Sequence, residues 1–278
     1  MQAEQSLREG RLRDALAELQ AQVRKEPANA KYRVFLFQLL AVLGQWERAL
    51  NQLQVIGEMD AASLPMVQTY REAVRCELLR AEIFAGRRSP LVFGDPEPWV
   101  ALLLEALRLT AAGQHAQARA MRDQAFEGAP AIAGTLDEQP FAWLADADPR
   151  LGPMLEAVVN GRYYWVPWQR IRAIRFEPPA DLRDYVWMPA QITWANSGET
   201  VSLIPARYAG SQAAADALVQ LGRKTEWQDC GEETWLGLGQ RMLTTDQGEY
   251  SLLDIRQITL NVEEEPTEEI APTAASNG

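Results

Sequence analysis

Two stretches of the chain, Gly10–Leu19 (GRLRDALAEL) and Gly44–Leu53 (GQWERALNQL), are written on one template. They lie 34 residues apart, with Gly10 aligned to Gly44, Leu12 to Trp46, Ala15 to Ala49, Leu16 to Leu50 and Leu19 to Leu53. A third copy, Gly113–Arg122 (GQHAQARAMR), begins two periods plus one residue further on. Pro27 follows Ala15 at the same distance as Pro130 follows Ala118. The physics of the pattern is a helix–turn–helix unit. Glycine ends one helix because it alone enters the left-handed region without a Cβ penalty. The small alanine lets the second helix approach the first, leucines at helical spacing give each helix an apolar stripe, and proline closes the unit. A unit of this kind cannot bury its own face, so units must stack.

The period and the residue types resemble the tetratricopeptide repeat. The first unit departs from that pattern in having little sequence ahead of Gly10 for its leading helix. Residues 62–98 fit it only as irregular helices, with Pro65–Gly86 as one long helix and Ser89–Trp99 (SPLVFGDPEPW) as a proline-rich loop. Trp99 then opens the next helix. A stacked helical array has a concave face suited to a peptide or a helix. Val34, Gln38 and Ala41, on the leading helix of the second unit, are candidates to line it. Val34 and Ala41 fit equally well as packing residues between helices, whereas Gln38 is expected to be exposed.

The texture changes after about residue 160. Six of the nine tryptophans lie between Trp165 and Trp235. Arg162–Ile171 (RYYWVPWQRI) is aromatic and β-branched, which favours strand. Tyr185–Pro205 reads as two strands joined at Asn196-Ser197-Gly198, and Arg241–Ile255 as a further hairpin turning at Gln247-Gly248. Ser211–Arg223 reads as a short helix capped by Ser211 and closed by Gly222. The predicted fold class is therefore α+β and multidomain: a tetratricopeptide-like α-helical repeat domain over 1–140, a connecting helix over 141–161, and a smaller antiparallel β-rich α+β domain over 162–261. Residues 262–278 carry five acids and no base and form a predicted disordered tail, either a solvating segment or an electrostatic lure for a basic partner.

The junction Trp143–Pro153 (WLADADPRLGP) raises the question of catalysis, since Asp146 and Asp148 sit two residues apart beside Arg150. Asp148 before Pro149 is a helix start, N-cap then proline at the first helical position, and Asn160-Gly161 is a helix end. On this reading Asp146, Asp148 and Arg150 are capping and ion-pairing residues. The rival is a hydrolase in which Asp146 and Asp148 act with Glu156 or Asp181, which demands a deep pocket holding at least two of these groups.

Composition narrows the rest. The net charge is −11, and the chain stays acidic without its tail, so a phosphate backbone is not the expected partner. His115 is the only histidine, Cys76 and Cys230 are far apart, and no zinc site or catalytic triad follows from these residues. Gly237–Arg241 (GLGQR) is too short for a dinucleotide fingerprint. No catalytic, cofactor or metal residue is assigned. The longest apolar stretch, Val34–Gly44, is well short of the ~20 residues of a membrane span. The expectation is a cytoplasmic protein with reduced thiols.

Three runs together carry a further resemblance: Phe141–Ile171 (FAWLADADPRLGPMLEAVVNGRYYWVPWQRI), Pro178–Gln191, and Leu203–Ser211 with Gly222–Trp227. They resemble the ImpE/TagJ family, also called SciE-type, accessory proteins of bacterial type VI secretion systems. The resemblance spans about residues 1 to 260 and is most specific in the Trp-Leu-Ala-Asp-Ala-Asp and Arg-Tyr-Tyr-Trp runs. It implies a non-enzyme that binds the small sheath subunit TssB through its N-terminal helix, close to sheath recycling by the ATPase ClpV. An amphipathic helix docks on aromatic anchors with a charged rim. Phe141, Trp143, Tyr163, Tyr164, Trp165, Trp168 and Trp187 are the candidates, each with burial in the core as its alternative. Arg150, Arg162 and Arg207 either meet a partner's carboxylates or bridge acids within the chain. A general repeat scaffold outside secretion is the remaining alternative.

Overall fold

The computed structural model describes residues 2–95 and 97–263. Helices α1 (Gln2–Arg8), α2 (Leu12–Lys25), α3 (Ala30–Val42) and α4 (Trp46–Met59) form two antiparallel hairpins. Then α5 (Leu64–Phe84), α6 (Pro98–Ala111) and α7 (His115–Gly128) complete the helical part. The three template glycines end α1, α3 and α6 in the same way. Gly10, Gly44 and Gly113 have φ of 73°, 64° and 72°. In each case the glycine N–H reaches back three residues and the next N–H five: Gly10 to Leu7 and Arg11 to Ser6, Gly44 to Ala41 and Gln45 to Leu40, Gly113 to Thr110 and Gln114 to Leu109. This is the Schellman closure, which satisfies the terminal carbonyls. Ala15, Ala49 and Ala118 are fully buried where the helices touch.

The third copy departs from the template at three positions, His115, Arg119 and Arg122. Where the first two place Leu19 and Leu53 in the core, the third has Arg122, buried and donating through Nη2 to Thr234 Oγ1 at 3.1 Å. Thr234 belongs to the C-terminal half. The α6–α7 hairpin therefore packs against the β-rich part instead of against another repeat.

That part is a nine-stranded sheet in the order β1-β6-β5-β9-β8-β7-β14-β2-β3, joined by a three-stranded sheet β13-β12-β4 and a hairpin β10-β11. Its strands are β1 (Leu91–Val92), β2 (Gly134–Leu136), β3 (Gln139–Phe141), β4 (Leu144–Asp146), β5 (Met154–Val159), β6 (Arg162–Pro167), β7 (Ile171–Phe176), β8 (Trp187–Trp194), β9 (Glu199–Pro205), β10 (Thr225–Asp229), β11 (Trp235–Gly239), β12 (Met242–Thr245), β13 (Gly248–Ser251) and β14 (Gln257–Leu260). The proline-rich loop between α5 and α6 contributes β1, which pairs parallel to β6. The helical half thus supplies a strand to the sheet, and the sheet begins well before residue 162.

The connecting helix expected over 141–161 is not there. Its second half is β5, all six residues buried and paired with β6 and β9. Asn160 (φ 49°) and Gly161 (φ 73°) form the two-residue turn between Val159 and Arg162. Asn-Gly with both residues at positive φ is the favoured hairpin loop, and the Val158-Val159 run before it is strand chemistry. The predicted helix at Ser211 is also shorter: a 3₁₀ turn covers Ser211–Ala213, and α8 (Ala217–Gln220) starts from Asp216, which caps Leu218 N. Ser211 Oγ instead donates to the Tyr208 carbonyl and accepts from Gly239 N.

β5 shows how the two halves join. Met154 and Val158 belong to the core shared with the helices, whereas Leu155, Ala157 and Val159 belong to a second core on the other face of the sheet. The first core runs without a break from α1 to Trp187, Leu203 and Leu221. Glu156 lies on the helix-facing side between Met154 and Val158, with no exposed surface. The acidic tail read from the sequence lies outside the described residues except for Val262 and Glu263, and Val262 packs on the second core.

Candidate functional site

The acids of the junction are built into the interface between α5 and the sheet. β4 ends at Asp146, paired to Leu243 of β12, and the chain then turns sharply back to Gly152, whose carbonyl accepts from Asp146 N at 2.7 Å. Two Asx-type bonds shape the turn: Asp148 N donates to Asp146 Oδ1 at 2.8 Å, and Arg150 N to Asp148 Oδ1 at 2.9 Å. Arg150 folds back to clasp the Asp148 carboxylate, Nε lying 2.9 and 3.1 Å from its two oxygens and Nη2 2.5 Å from Oδ2. Asp148 Oδ2 also accepts from Gly237 N at 2.8 Å, which ties the turn to β11. Asp148 therefore does its work in a turn, not at the helix start expected for it.

Glu156 is the centre of the cluster. Arg80 of α5 meets it with Nε at 2.5 Å and Nη2 at 2.9 Å, and Tyr163 donates its hydroxyl to it. Arg80 also contacts Glu77 at 3.5 Å and donates to the Arg207 carbonyl at 2.9 Å. Arg241 spans the two acids, with Nε 3.2 Å from Asp146 Oδ2 and Nη2 against Glu156. Among the described residues none of its nitrogens makes an aligned hydrogen bond, so charge proximity holds it. Tyr208 donates to Asp146 Oδ1 at 3.1 Å and accepts from Met242 N at 3.0 Å. Arg207 fastens the helical part from the other direction, donating to the carbonyls of Val42 and Gln220.

Burial dominates the titration of these groups. It pushes Asp146 up to about 7, reinforced by Asp148 and opposed by Arg241. Burial lowers both Arg207 and Arg241 to about 10. The hydroxyls of Tyr163 and Tyr208 are pushed well above the usual phenol range, again by burial. A perturbed carboxyl is a mark of active sites, but also of buried ion pairs. The geometry here favours the second. Asp148, Glu156 and Arg241 have 0% exposure. The apolar groove that borders Asp146 is lined by neither Asp148 nor Glu156. Asp181 stands elsewhere, capping the 3₁₀ turn Leu182–Tyr185. The groove at Asp146 therefore does not bring together two of the acids that the hydrolase alternative needs. Among the described residues no group of His, Cys, Asp and Glu is placed to hold a metal.

The leading helix of the second repeat is covered in part by the protein itself, with a groove left beside it along Tyr32, Phe35 and Gln38. The turn Leu182–Tyr185 packs on α3, and Trp187 inserts between Trp46 and Tyr70 with ring centroids 6.0 and 5.7 Å away. Gln38, expected to be exposed, is only 7% accessible, and Ala41 is fully buried. Val34 is half-buried and packs on the shared core. Five of the seven aromatic candidates are corrected in the same sense. Tyr163, Trp165 and Trp187 lie in the core shared with the helices, and Phe141 and Trp168 in the second core. They cannot anchor a partner on the folded chain. Tyr164 is half-buried against Phe93, in edge contact at 5.7 Å.

Trp143 is different: it is 38% exposed, and so is Phe126 of α7, and the two border one apolar groove of about 370 Å³ with Pro130, Pro149 and Pro153. Ala147 lies in this groove and also in a neighbouring one lined by Trp227 and Trp235. Trp235 is 49% exposed. Trp227 and Trp235 share a face of the β10–β11 hairpin, since they pair with Gly237 and Asp229. Sequence reasoning missed Phe126, Trp227 and Trp235. The available signal was Phe126 just off the stripe set by Ala118, Arg122 and Ala125, and Trp235 directly after the polar turn Gly231–Thr234.

Comparisons with known proteins agree with this architecture. The family model described as ImpE protein matches residues 138–259, and a tetratricopeptide repeat model matches residues 6–72. The type VI secretion system accessory component TagJ of Pseudomonas aeruginosa is 56% identical over 268 residues, covering 96% of this chain and 92% of that protein. A crystal structure of a Vibrio parahaemolyticus protein has the same fold, with a TM-score of 0.86 at 24% identity over 95% of this chain and 98% of that one. With identity of this order running from the first helical hairpin to the end of the sheet, the chain belongs to the ImpE/TagJ family.

Proposed function

We propose that this protein is a cytoplasmic, non-enzymatic accessory protein of a bacterial type VI secretion system. It binds the small contractile-sheath subunit TssB through that subunit's N-terminal helix, and so is linked to sheath assembly or to ClpV-dependent recycling. The observation that carries this reading is the 56% identity to a protein named as a secretion-system accessory component, over nearly the whole of both chains. Two features of the site support it. The carboxylates that would serve hydrolysis are buried and engaged by arginines. The exposed aromatics beside proline and alanine suit protein recognition. No described helix is long and apolar enough to cross a membrane, in keeping with action beside a cytoplasmic sheath.

The test is a fluorescence-anisotropy titration of a labelled peptide of the sheath subunit's N-terminal helix, from the same bacterium, against the full chain. Saturable binding at about 1 μM or tighter, about −8 kcal/mol, is expected for the native peptide and not for a charge-matched scramble. Equal binding of the scramble, or none of either, would refute it in favour of a repeat scaffold with other partners.

A further inference from the structure

The aromatic surface has a definite electrostatic character. Asp229 is paired across the hairpin from Trp235, and Glu249 lines the groove that holds Trp227 and Trp235. Glu127 follows Phe126 on α7, and Asp246 accepts from Ala142 N beside Trp143. All four acids are exposed, and among the described residues none of them has a cationic partner. Arg119, on the same helix as Glu127, is already engaged by Asp123 and Glu233. Apolar anchors ringed by uncompensated acids are the complement of a cationic amphipathic segment. A second copy of this acidic chain, and its own glutamate-rich C-terminus, carry the wrong sign.

We infer that the surface formed by Phe126, Trp143, Trp227 and Trp235, with its rim of Glu127, Asp229, Asp246 and Glu249, is where this protein receives its partner: a helix that lays an apolar stripe on the aromatics and basic residues on the rim. The inference rests on the sheath-subunit reading and gives it a place on the molecule. Part of the helical face is taken by the chain itself, since the Leu182–Tyr185 turn packs on α3 and Trp187 on Trp46 and Tyr70; the groove left between α1, α3 and that turn is lined by Arg8, Lys31 and Arg223, the wrong sign for a basic helix. Trp227 is backed by Tyr208 at 5.7 Å, and Gly237 lies flat against the Tyr208 ring, so the hairpin is held on the buried charge cluster and presents its tryptophans from a fixed support.

The experiment repeats the peptide titration with full-length variants. Phe126→Ser, Trp143→Ser and Trp235→Ser remove anchors that are already part-exposed. Glu127→Lys/Glu249→Lys reverses the rim without touching the core. Leu64→Ser, an exposed apolar residue at the start of α5, is the control. Each anchor variant is expected to weaken binding about tenfold or more, and the charge reversal about tenfold with a shallower salt dependence. The control stays within about twofold of the parent. If the parent binds the peptide and all patch variants bind within about twofold of it, the surface is wrong and the functional reading stands. The surface is equally wrong if binding survives the charge reversal with its salt dependence unchanged. If the parent does not bind at all, the functional reading falls and this assignment falls with it.

Discussion

Replacing Glu156 by glutamine tests whether the buried charges lock the helical part to the sheet. The substitution keeps the volume and an acceptor and removes one negative charge. Around it stand Glu77, Asp146 and Asp148 on one side and Arg80, Arg150, Arg207 and Arg241 on the other; Asp146 holds its proton up to about pH 7, so the variant leaves four arginines with no more than three carboxylates. Arg80 keeps Glu77 at 3.5 Å and Arg241 keeps Asp146 at 3.2 Å, but both lose their fully buried partner. Breaking a buried pair from one side costs about 3–5 kcal/mol. For a protein of this size that corresponds to a fall in melting temperature of roughly 10 °C. Urea unfolding followed by the fluorescence of the core tryptophans, alongside circular dichroism, measures it. The double variant Arg80→Met/Glu156→Met removes one charge of each sign and is expected to recover at least about 1–2 kcal/mol relative to Glu156→Gln. A cost below about 1 kcal/mol for Glu156→Gln would refute the argument, because it would mean that the carboxylate carries no charge that the arginines need.

Further outcomes follow from single groups. Asp146 holds its proton up to about pH 7 in the fold, whereas an unfolded aspartate releases it near pH 3.9, so the folded state binds more protons in between. Its contribution to stability is therefore full below about pH 4 and is lost as the pH rises through about 7; Asp146→Asn removes that slope of up to about 1.4 kcal/mol per pH unit, and equal slopes for the two proteins would contradict it. Gly239 has φ of 89°, and a Cβ there would stand 1.9 Å from the Lys224 carbonyl oxygen, so Gly239→Ala should cost about 3 kcal/mol in urea melts and loosen the β10–β11 hairpin in hydrogen exchange. Cys76 is buried, its thiol pushed up to about 12 by burial, while Cys230 is half-exposed in the hairpin loop; a thiol reagent should modify Cys230 quickly and Cys76 only on unfolding.

The helical half was legible because its information is local. A glycine at each helix end and an alanine at each crossing fix the same closure three times, with leucines at helical spacing in the first two copies. Asn160-Gly161 was legible too, but ambiguous. The pair serves a helix end and a hairpin equally well, and only the β-branched residues ahead of it favour the hairpin it forms. The site was hidden for a different reason. Arg80 and Glu156 are 76 residues apart, and Arg241 lies farther still along the chain, with no motif relating them. The aromatics were recognisable as anchors by type, yet burial depends on which side of a strand is covered. Tyr163 and Trp165 alternate with Tyr164 and Val166 along β6, both faces of which are packed. Trp235 starts β11 at the end of a two-stranded hairpin, beyond the stretch of that face covered by Tyr208, and is 49% exposed.

The same facts decide how a partner can engage. A ligand that took the place of the Leu182–Tyr185 turn and Trp187 on the helices would first have to displace the β-rich half. That would part Arg80 from Glu156 and Arg207 from the Val42 carbonyl, and would expose Trp187 and the core it shares with Trp46 and Tyr70. Exposing the Trp187 side chain alone costs about 3 kcal/mol, before the rest of the shared core is counted. That is a sizeable share of the roughly −8 kcal/mol available to a micromolar peptide. Recognition on the assembled body carries no such cost. Phe126, Trp143 and Trp235 are already at the surface, on elements that the Arg122–Thr234 bond and the Asp148–Gly237 bond fix to the rest of the fold. The arginine that breaks the third repeat's leucine pattern is thus part of the reason that the exposed tryptophans have a rigid place to stand.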